Sequence, residues 1–226
     1  MGASWRLLLE YTMYVPPRFE SPHVDVLYEL IEKYPFGILF TNGKSGLDAT
    51  HIPFELNKRE REQGVLHCHV ARDNPIWQDL SNGDEVLVVF RAVDAYIAPG
   101  WFPSKHEFKK QVPTWNYLVT HVHGRVTIRD DQRYVRGQVA RLTRTHEANQ
   151  ELPWKMTDSP KEYIDMMLSR IVGMEIEITK IVGAIKLSQN REVRDLLGAG
   201  NALKAKGDDV IGDAMLAVAA SKAEEA

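Results

Sequence analysis

At 226 residues, with 44% hydrophobic and 26% charged side chains, the chain has the composition of an ordinary globular protein with room for a sizeable core. A formal net charge of −3 supplies no global attraction to phosphate backbones, so charge does not predict non-specific nucleic-acid binding. Cys68 is the only cysteine, which excludes an intramolecular disulfide and a cysteine-rich metal cluster within one chain.

Met1 to Tyr14 carries the short apolar run Leu7-Leu8-Leu9 between Arg6 and Glu10. That run is too short for a membrane span and no small-residue cleavage pattern follows it, so the expectation is a cytoplasmic protein with no membrane partner. Residues 1–12 read as an N-terminal extension. Ser21-Pro22 has the form of a helix start, and Val24, Leu27, Tyr28 and Ile31 recur at helical spacing to about Lys33. Phe36 to Thr41 is a compact apolar strand, and Asn42-Gly43 begins a turn.

A series of strands follows. Ala49 to Leu56 alternates, with Thr50, Ile52, Phe54 and Leu56 on one face, and Pro53 argues for an edge or a bulge. Gly64 to Val70 alternates as well, with His67 and His69 opposite Leu66 and Cys68. Val86 to Phe90 is continuously apolar, as in a strand covered on both faces, and Asp94 to Ala98 reads as its hairpin partner. Thr114 to Ile128 is a long strand. Its one face carries Leu118, Val122, Val126 and Ile128; the other carries Trp115, Tyr117, Val119, His121, His123 and Arg125. An aromatic, cationic, histidine-rich face is costly to bury without partners and suits a cofactor pocket or a subunit interface.

Asp130 to about Gln150 reads as a helix, and Ser159-Pro160-Lys161-Glu162 has capping-box spacing ahead of another. Val172 to Leu187 returns to strand, with a slip of its apolar phase that marks a bulge near Lys180. Asn190 to Ala226 is helical, with breaks expected around Gly198 to Gly200 and at Gly207. Many short strands with inserted and appended helices predict an α+β domain built on a central barrel. No glycine-rich turn joins a strand to a helix, which disfavours a doubly wound nucleotide fold.

Several clusters carry chemistry. His67-x-His69 and His121-x-His123 each place two imidazoles on one strand face, a metal-like spacing that hydrogen-bonded histidines share; no carboxylate stands at a matching site, and no metal is expected. Arg72-Asp73-Asn74-Pro75, between a strand and a short helical pattern, reads either as a phosphate clamp or as an Asn-Pro turn with a solvated arginine. Val112-Pro113-Thr114-Trp115-Asn116-Tyr117 packs aromatics, an amide and a hydroxyl at a strand entrance, able to cover a flat heterocycle and bond its edge. Lys186-Leu187-Ser188-Gln189-Asn190-Arg191 either binds an anion or caps the next helix. Arg191 to Ala219 imitates a helix-turn-helix, but Asp208 and Asp209 would repel DNA. No nucleophile elbow is present, and Cys68 faces an apolar side.

Taken in order, Met13-Tyr14-Val15-Pro16, Ala49-Thr50-His51-Ile52-Pro53, His69-Val70-Ala71-Arg72-Asp73-Asn74-Pro75, Val112 to Tyr117, Val172-Gly173-Met174-Glu175-Ile176 and Lys186 to Arg191 resemble the PaiB-type family of FMN-binding negative transcriptional regulators. The resemblance runs from about Met13 to about Gly212. It implies a flavin-type split β-barrel over residues 13–188, a C-terminal helical segment over 189–226, and a homodimer with FMN near the subunit interface. Carried over by position, Thr50 and His51 border the flavin and Arg72 and Asn74 lie on its phosphate side. Thr114, Trp115 and Asn116 face the ring or ribityl chain, and Lys186, Gln189 and Arg191 reach the phosphate. His67, Gly100 and the extension before Met13 depart from the pattern. Three functions compete: a flavin-binding regulator with DNA or another regulatory partner, an FMN-dependent oxidoreductase of the NAD(P)H:flavin type, and a heme-binding or heme-degrading split barrel motivated by the histidine faces.

Overall fold

The computed structural model describes residues 13–21 and 23–225; the expected extension over residues 1–12 and the proline of the Ser21-Pro22 start lie outside it. Helix α1 (Val24–Lys33) begins after His23 with no side-chain cap, slightly later than Ser21 predicts. Seven strands follow: β1 (Phe36–Gly43), β2 (Gly46–Pro53), β3 (Glu55–Asn57), β4 (Val65–Ala71), β5 (Glu85–Ile97), β6 (Thr114–Arg129) and β7 (Ile171–Lys186). The remaining helices are α2 (Ile76–Asp79), α3 (Ser104–Phe108), α4 (Gln132–Glu147), α5 (Lys161–Leu168), α6 (Val193–Lys204) and α7 (Asp209–Glu224).

The strands form one sheet in the order β2-β1-β5-β6-β7-β4-β3, with every pairing antiparallel. The chain from Gly46 to Asn57 serves both ends of that order. Its first part pairs with β1 and, beyond Phe54, its last three residues pair with β4. Phe54 N still donates to the Pro35 carbonyl at 2.9 Å, but Pro35 has no N–H to return the bond, so pairing with β1 ends there, and one continuous segment curls the sheet into an α+β split barrel. The interior is filled by Leu39, Phe54, Leu66, Phe90, Val122, Met174 and Ile176 among others, with Phe54 and Phe90 edge to face at 5.4 Å.

Three sequence expectations are corrected. Val86 to Phe90 and Asp94 to Ala98 are not hairpin partners: they are one strand, β5, with a bulge between Arg91 and Val93. The intervening residues hold no glycine or proline to reverse the chain, and the extra residue is absorbed as a bulge. Helix α6 also runs unbroken through Gly198 and Gly200. Those glycines permit close approach, since a Cβ at Gly198 would collide with the Trp101 carbonyl and one at Gly200 with the Leu216 side chain. The break at Gly207, with φ of 88°, is where the sequence places it. The Ser159 capping box is not formed either: α5 follows Pro160 without a side-chain cap.

The phase slip in β7 has a direct counterpart. His123 lies opposite Lys180 and Gly124 opposite Ile178, so Thr179 is the inserted residue. Helices α6 and α7 pack Leu196, Leu203, Ile211 and Met215 onto Ala95, Ile97, Phe102 and Leu187, a second core at the far end of β5 to β7.

Gly124 sits at the bulge with no space for a side chain: a Cβ there would come within 2.6 Å of the Glu177 carbonyl oxygen. Gly124→Ala is expected to destabilise the fold by about 2–3 kcal/mol, because backbone must move to admit the methyl. Urea unfolding followed by circular dichroism measures this; an unchanged midpoint would show that the bulge yields freely.

Candidate functional site

Strand alternation divides β6 cleanly. Asn116, Thr120, Val122, Gly124 and Val126 are buried, whereas Tyr117, Val119, His121 and His123 are half-buried and Trp115 and Arg125 exposed. Register carries the second face across the sheet in rows. Phe40, Leu87, His123 and Lys180 form one, and Ile38, Val89, His121 and Val182 the next. Asp94, Tyr117 and Lys186 form a third, and Tyr96 and Trp115 end the face with their rings edge to face at 5.9 Å. Tyr96 is 46% and Trp115 53% exposed, so this end is an open aromatic ledge rather than core.

Lys186 is the focus of that ledge. Its Nζ donates to Thr114 Oγ1 at 2.9 Å and stands 5.7 Å from the Tyr117 ring centroid and 5.9 Å from that of Phe19. Among the described residues no carboxylate pairs with it, and burial alone pulls its pKa below the usual lysine value. A half-buried cation with one hydroxyl and two ring faces for company has unused capacity for an anion.

The loop that follows is fixed from beneath. Ser188 occupies the left-handed region at φ 62°, and its hydroxyl donates to Asn116 Oδ1 at 3.0 Å. Asn116 is fully buried and its Nδ2 donates to Met215 Sδ at 3.2 Å. Gln189 Oε1 accepts from Leu187 N at 2.7 Å, and Lys222 Nζ donates to the Gln189 and Arg191 carbonyls. Arg191 lies over the Phe102 ring at 5.5 Å. Asn116 and Gln189 therefore hold the loop, while Thr114, Trp115 and Lys186 present groups outward.

The candidate residues fall into three places. Thr114, Trp115, Asn116, Lys186, Gln189 and Arg191 gather at the shared end of β5, β6 and β7. Arg72 and Asn74 stand at the opposite end. Arg72 Nε donates to Ser169 O at 2.8 Å and its guanidinium forms a two-pronged pair with Asp130, which holds that carboxyl below its ordinary range. From the Tyr117–Lys186 row to Asp130 the chain traverses nearly the whole of β6, roughly 40 Å of extended strand. Within one chain, then, Arg72 and Lys186 do not form a single phosphate clamp. Asn74 Oδ1 accepts from Ile76 N at 3.0 Å, the geometry of an Asn-Pro turn. Thr50 and His51 are on β2, with His51 at the outer end of the row that leads through Ile38 and Val89 to His121.

The histidine pairs do not converge. His67 Nδ1 bonds the Tyr134 hydroxyl at 2.9 Å and His69 Nδ1 bonds Gln138 at 2.7 Å, so the first pair seats α4 on β4. Among the described residues no group of three histidine, cysteine or acidic side chains is placed to hold a metal. Cys68 is fully buried, and desolvation pushes its thiol far above the range of a working nucleophile. The sequence places Ser188 and Tyr117 within its clusters without assigning either to the cofactor, and it does not single out Phe19, the other ring beside Lys186. Tyr117 is signalled by its phase on β6; Phe19, arriving from the N-terminal turn, carries no local signal.

A family model described as "Putative FMN-binding domain" matches residues 13–180, about three quarters of the chain. The chain belongs to this family. Its relatives include the Bacillus subtilis protein named "Protease synthase and sporulation protein PAI 2", 27% identical over 82% of this chain and 86% of its own. A Saccharomyces cerevisiae protein known as YKL070W is 35% identical over 58% of this chain and 88% of its own. Among solved structures, a FAD- and heme-binding protein of Mycobacterium smegmatis superposes with a TM-score of 0.54 at 15% identity, covering 74% of this chain and 73% of its own. The flavocytochrome Anf3 of Azotobacter vinelandii gives 0.53 at 9% identity, covering 76% and 72%. These likenesses support the split-barrel fold. No described helix is long and apolar enough to cross a membrane.

Burial lowers the pKa of both His121 and His123, helped at His121 by its neighbour His123 and at His123 by Lys180 and opposed there by Glu85. Near the ordinary histidine value the unfolded chain therefore binds more protons than the folded one, and stability rises with pH. Their contribution is complete above about pH 6.5 and is lost as pH falls through the lower folded values. Urea midpoints at pH 7.5 and 5.0 are expected to differ more for the native sequence than for a His121→Gln/His123→Gln variant; equal differences would assign the pH response to other groups.

Proposed function

We propose that this chain binds FMN on the ledge formed by Thr114, Trp115, Tyr117 and Lys186, and that a second copy of the chain completes the site across the outer sheet face. The observation that carries this reading is Lys186, a half-buried cation bonded to Thr114 Oγ1 and left without a carboxylate among the described residues. The residues fit a flavin mononucleotide in kind: the ammonium and the Thr114 hydroxyl suit its phosphate, the Tyr96–Trp115 ledge suits a flat ring, and Arg191 adds charge nearby. When bound, the flavin supplies one- and two-electron chemistry, and the chain supplies binding, orientation and electrostatics.

The outer face supports the homodimer. Phe40, Ile38, Leu87, Val89, Val119 and Val182 make a band that a monomer leaves half-wet, flanked by imidazoles that lose little on burial when neutral. A partner there would also bring a second set of Thr50, His51, Arg72 and Asn74 into the assembly, which is how those positions would join a flavin site. In the cell this reading makes the protein a flavin-binding regulator of the PaiB type. That part rests on the family resemblance and on the Bacillus relative, since Asp208 and Asp209 at the start of α7 leave the helical pair poorly suited to a DNA backbone. An FMN-dependent NAD(P)H oxidoreductase is the second reading, favoured by the exposure of the Tyr96–Trp115 ledge, which leaves a face open to a second planar reactant.

FMN fluorescence titration of the purified protein tests the site. Saturable binding is expected in the micromolar range, weakened about tenfold in Lys186→Ala, as the loss of one charge-assisted contact implies. Val119→Glu is expected to give monomers in sedimentation equilibrium and to lose FMN with them. No saturable binding to the native protein would overturn the flavin reading, and FMN binding by a Val119→Glu monomer would overturn the shared site.

A further inference from the structure

The last turns of α4 and the segment leading to α5 border a half-open cavity of about 420 Å³. This is within the range of small-molecule sites. Ala140 and Thr143 of α4 form one wall and Pro153, the Trp154 indole and Met156 the other, so the lining is mostly carbon. The walls are fixed. Glu147 Oε2 accepts from Trp154 N at 2.8 Å, and Asp158 Oδ2 accepts from Lys155 N at 2.9 Å, closing the turn that carries Met156. Helix α4 is itself tied to β4 through Tyr134 with His67 and through Gln138 with His69.

Charge at the cavity is asymmetric. Arg144 and Lys155 both border it, and neither forms an ion pair among the described residues. Glu147 is the one carboxylate in the lining, and one of its oxygens is committed to the Trp154 backbone. On the same helix Arg136 pairs with Asp165 and Arg141 with Glu55, whereas Arg144, like Arg133, forms no ion pair among the described residues; of these, Arg144 is the one that borders the cavity. An apolar slot with an indole wall and two unpaired cations at its rim matches a flat apolar body bearing a single negative charge.

We propose that this cavity binds a compact aromatic monoanion, a carboxylate or sulfonate whose ring lies against Trp154 and whose charge meets Arg144 and Lys155. The site is separate from the flavin ledge and does not depend on it.

The test uses 1-anilinonaphthalene-8-sulfonate with the full chain, reading dye fluorescence and tryptophan quenching. One saturable dye site per chain is expected, displaced by 1-naphthoate but at least tenfold less readily by the neutral 1-naphthalenemethanol. Ala140→Trp, which fills the slot, and an Arg144→Glu/Lys155→Glu pair on exposed positions should each weaken dye binding at least tenfold, and Trp154→Phe should remove most of the quenching. Thermal melts identify a variant that fails to fold; if Ala140→Trp does, the charge-reversed pair decides. Absence of a saturable site, unchanged binding in the charge-reversed pair, or equal displacement by acid and alcohol would overturn the proposal. Displacement of the dye by FMN would overturn it too, by placing the dye on the ledge; a protein that fails to bind FMN but binds the dye as expected would leave the proposal standing and sink only the flavin reading.

Discussion

The antiparallel ladder between β6 and β7 is the constraint on which the rest of the structure depends. These are the two longest strands, and they stay paired from Tyr117–Lys186 at one end to Arg129–Gly173 at the other. Because alternate residues face opposite ways, one ladder builds three things together. Its inner face supplies Val122, Val126, Met174 and Ile176 to the barrel core, its outer face displays Tyr117, Val119, His121 and Lys186, and its far end turns into a second core under α6 and α7. The bulge at Thr179 keeps this consistent. Without the extra residue, the two halves of β7 could not both keep their apolar side inward against an unbroken β6.

The appended helices are joined to that ladder by polar contacts as well as by apolar ones. Asn116, at the start of β6, is the centre of a buried chain of bonds, accepting from Ser188 in the loop after β7 and donating to Met215 on α7. A second link is Asp195, buried in the first turn of α6, which accepts from both the backbone N and the hydroxyl of Ser104 on α3. Polar groups this deep cost stability when a partner is missing, so both links demand a particular seating of the helices. The seating in turn holds the strained Ser188 and fixes where Lys186 ends. Precision on the ledge is thus supplied by residues that do not face it.

Most of the elements are legible in the sequence because their signals are local. The alternation from Ala49 to Leu56, the phase slip near Lys180 and the glycine at 207 each report a backbone feature within a few residues of itself. Where reading failed, the deciding contact was distant. Gly198 and Gly200 look like helix breaks until Trp101 and Leu216 are seen pressed against them. Arg91 to Asp94 looks like a place to turn until the neighbouring β6 shows one continuous strand with a bulge. The candidate site divides the same way. Trp115 and Tyr117 are set on their faces by β6 phase, whereas the separation of Arg72 from Lys186 depends on strand order, and Asp130, which occupies Arg72, lies 58 residues along the chain.

The burial of Cys68 has a chemical corollary. Its sulfur is sealed between β4 and β7, donating only to the Met174 carbonyl at 3.8 Å. Oxidants, disulfide exchange and thiol-seeking electrophiles act on exposed thiolates, and this group is neither exposed nor ionised while the ladder is intact. The folded polypeptide is in that respect electrochemically mute. A thiol-based response to the redox state around the protein therefore has no exposed site on the folded chain, and a covalent mark on its one cysteine would record that β4 and β7 had come apart.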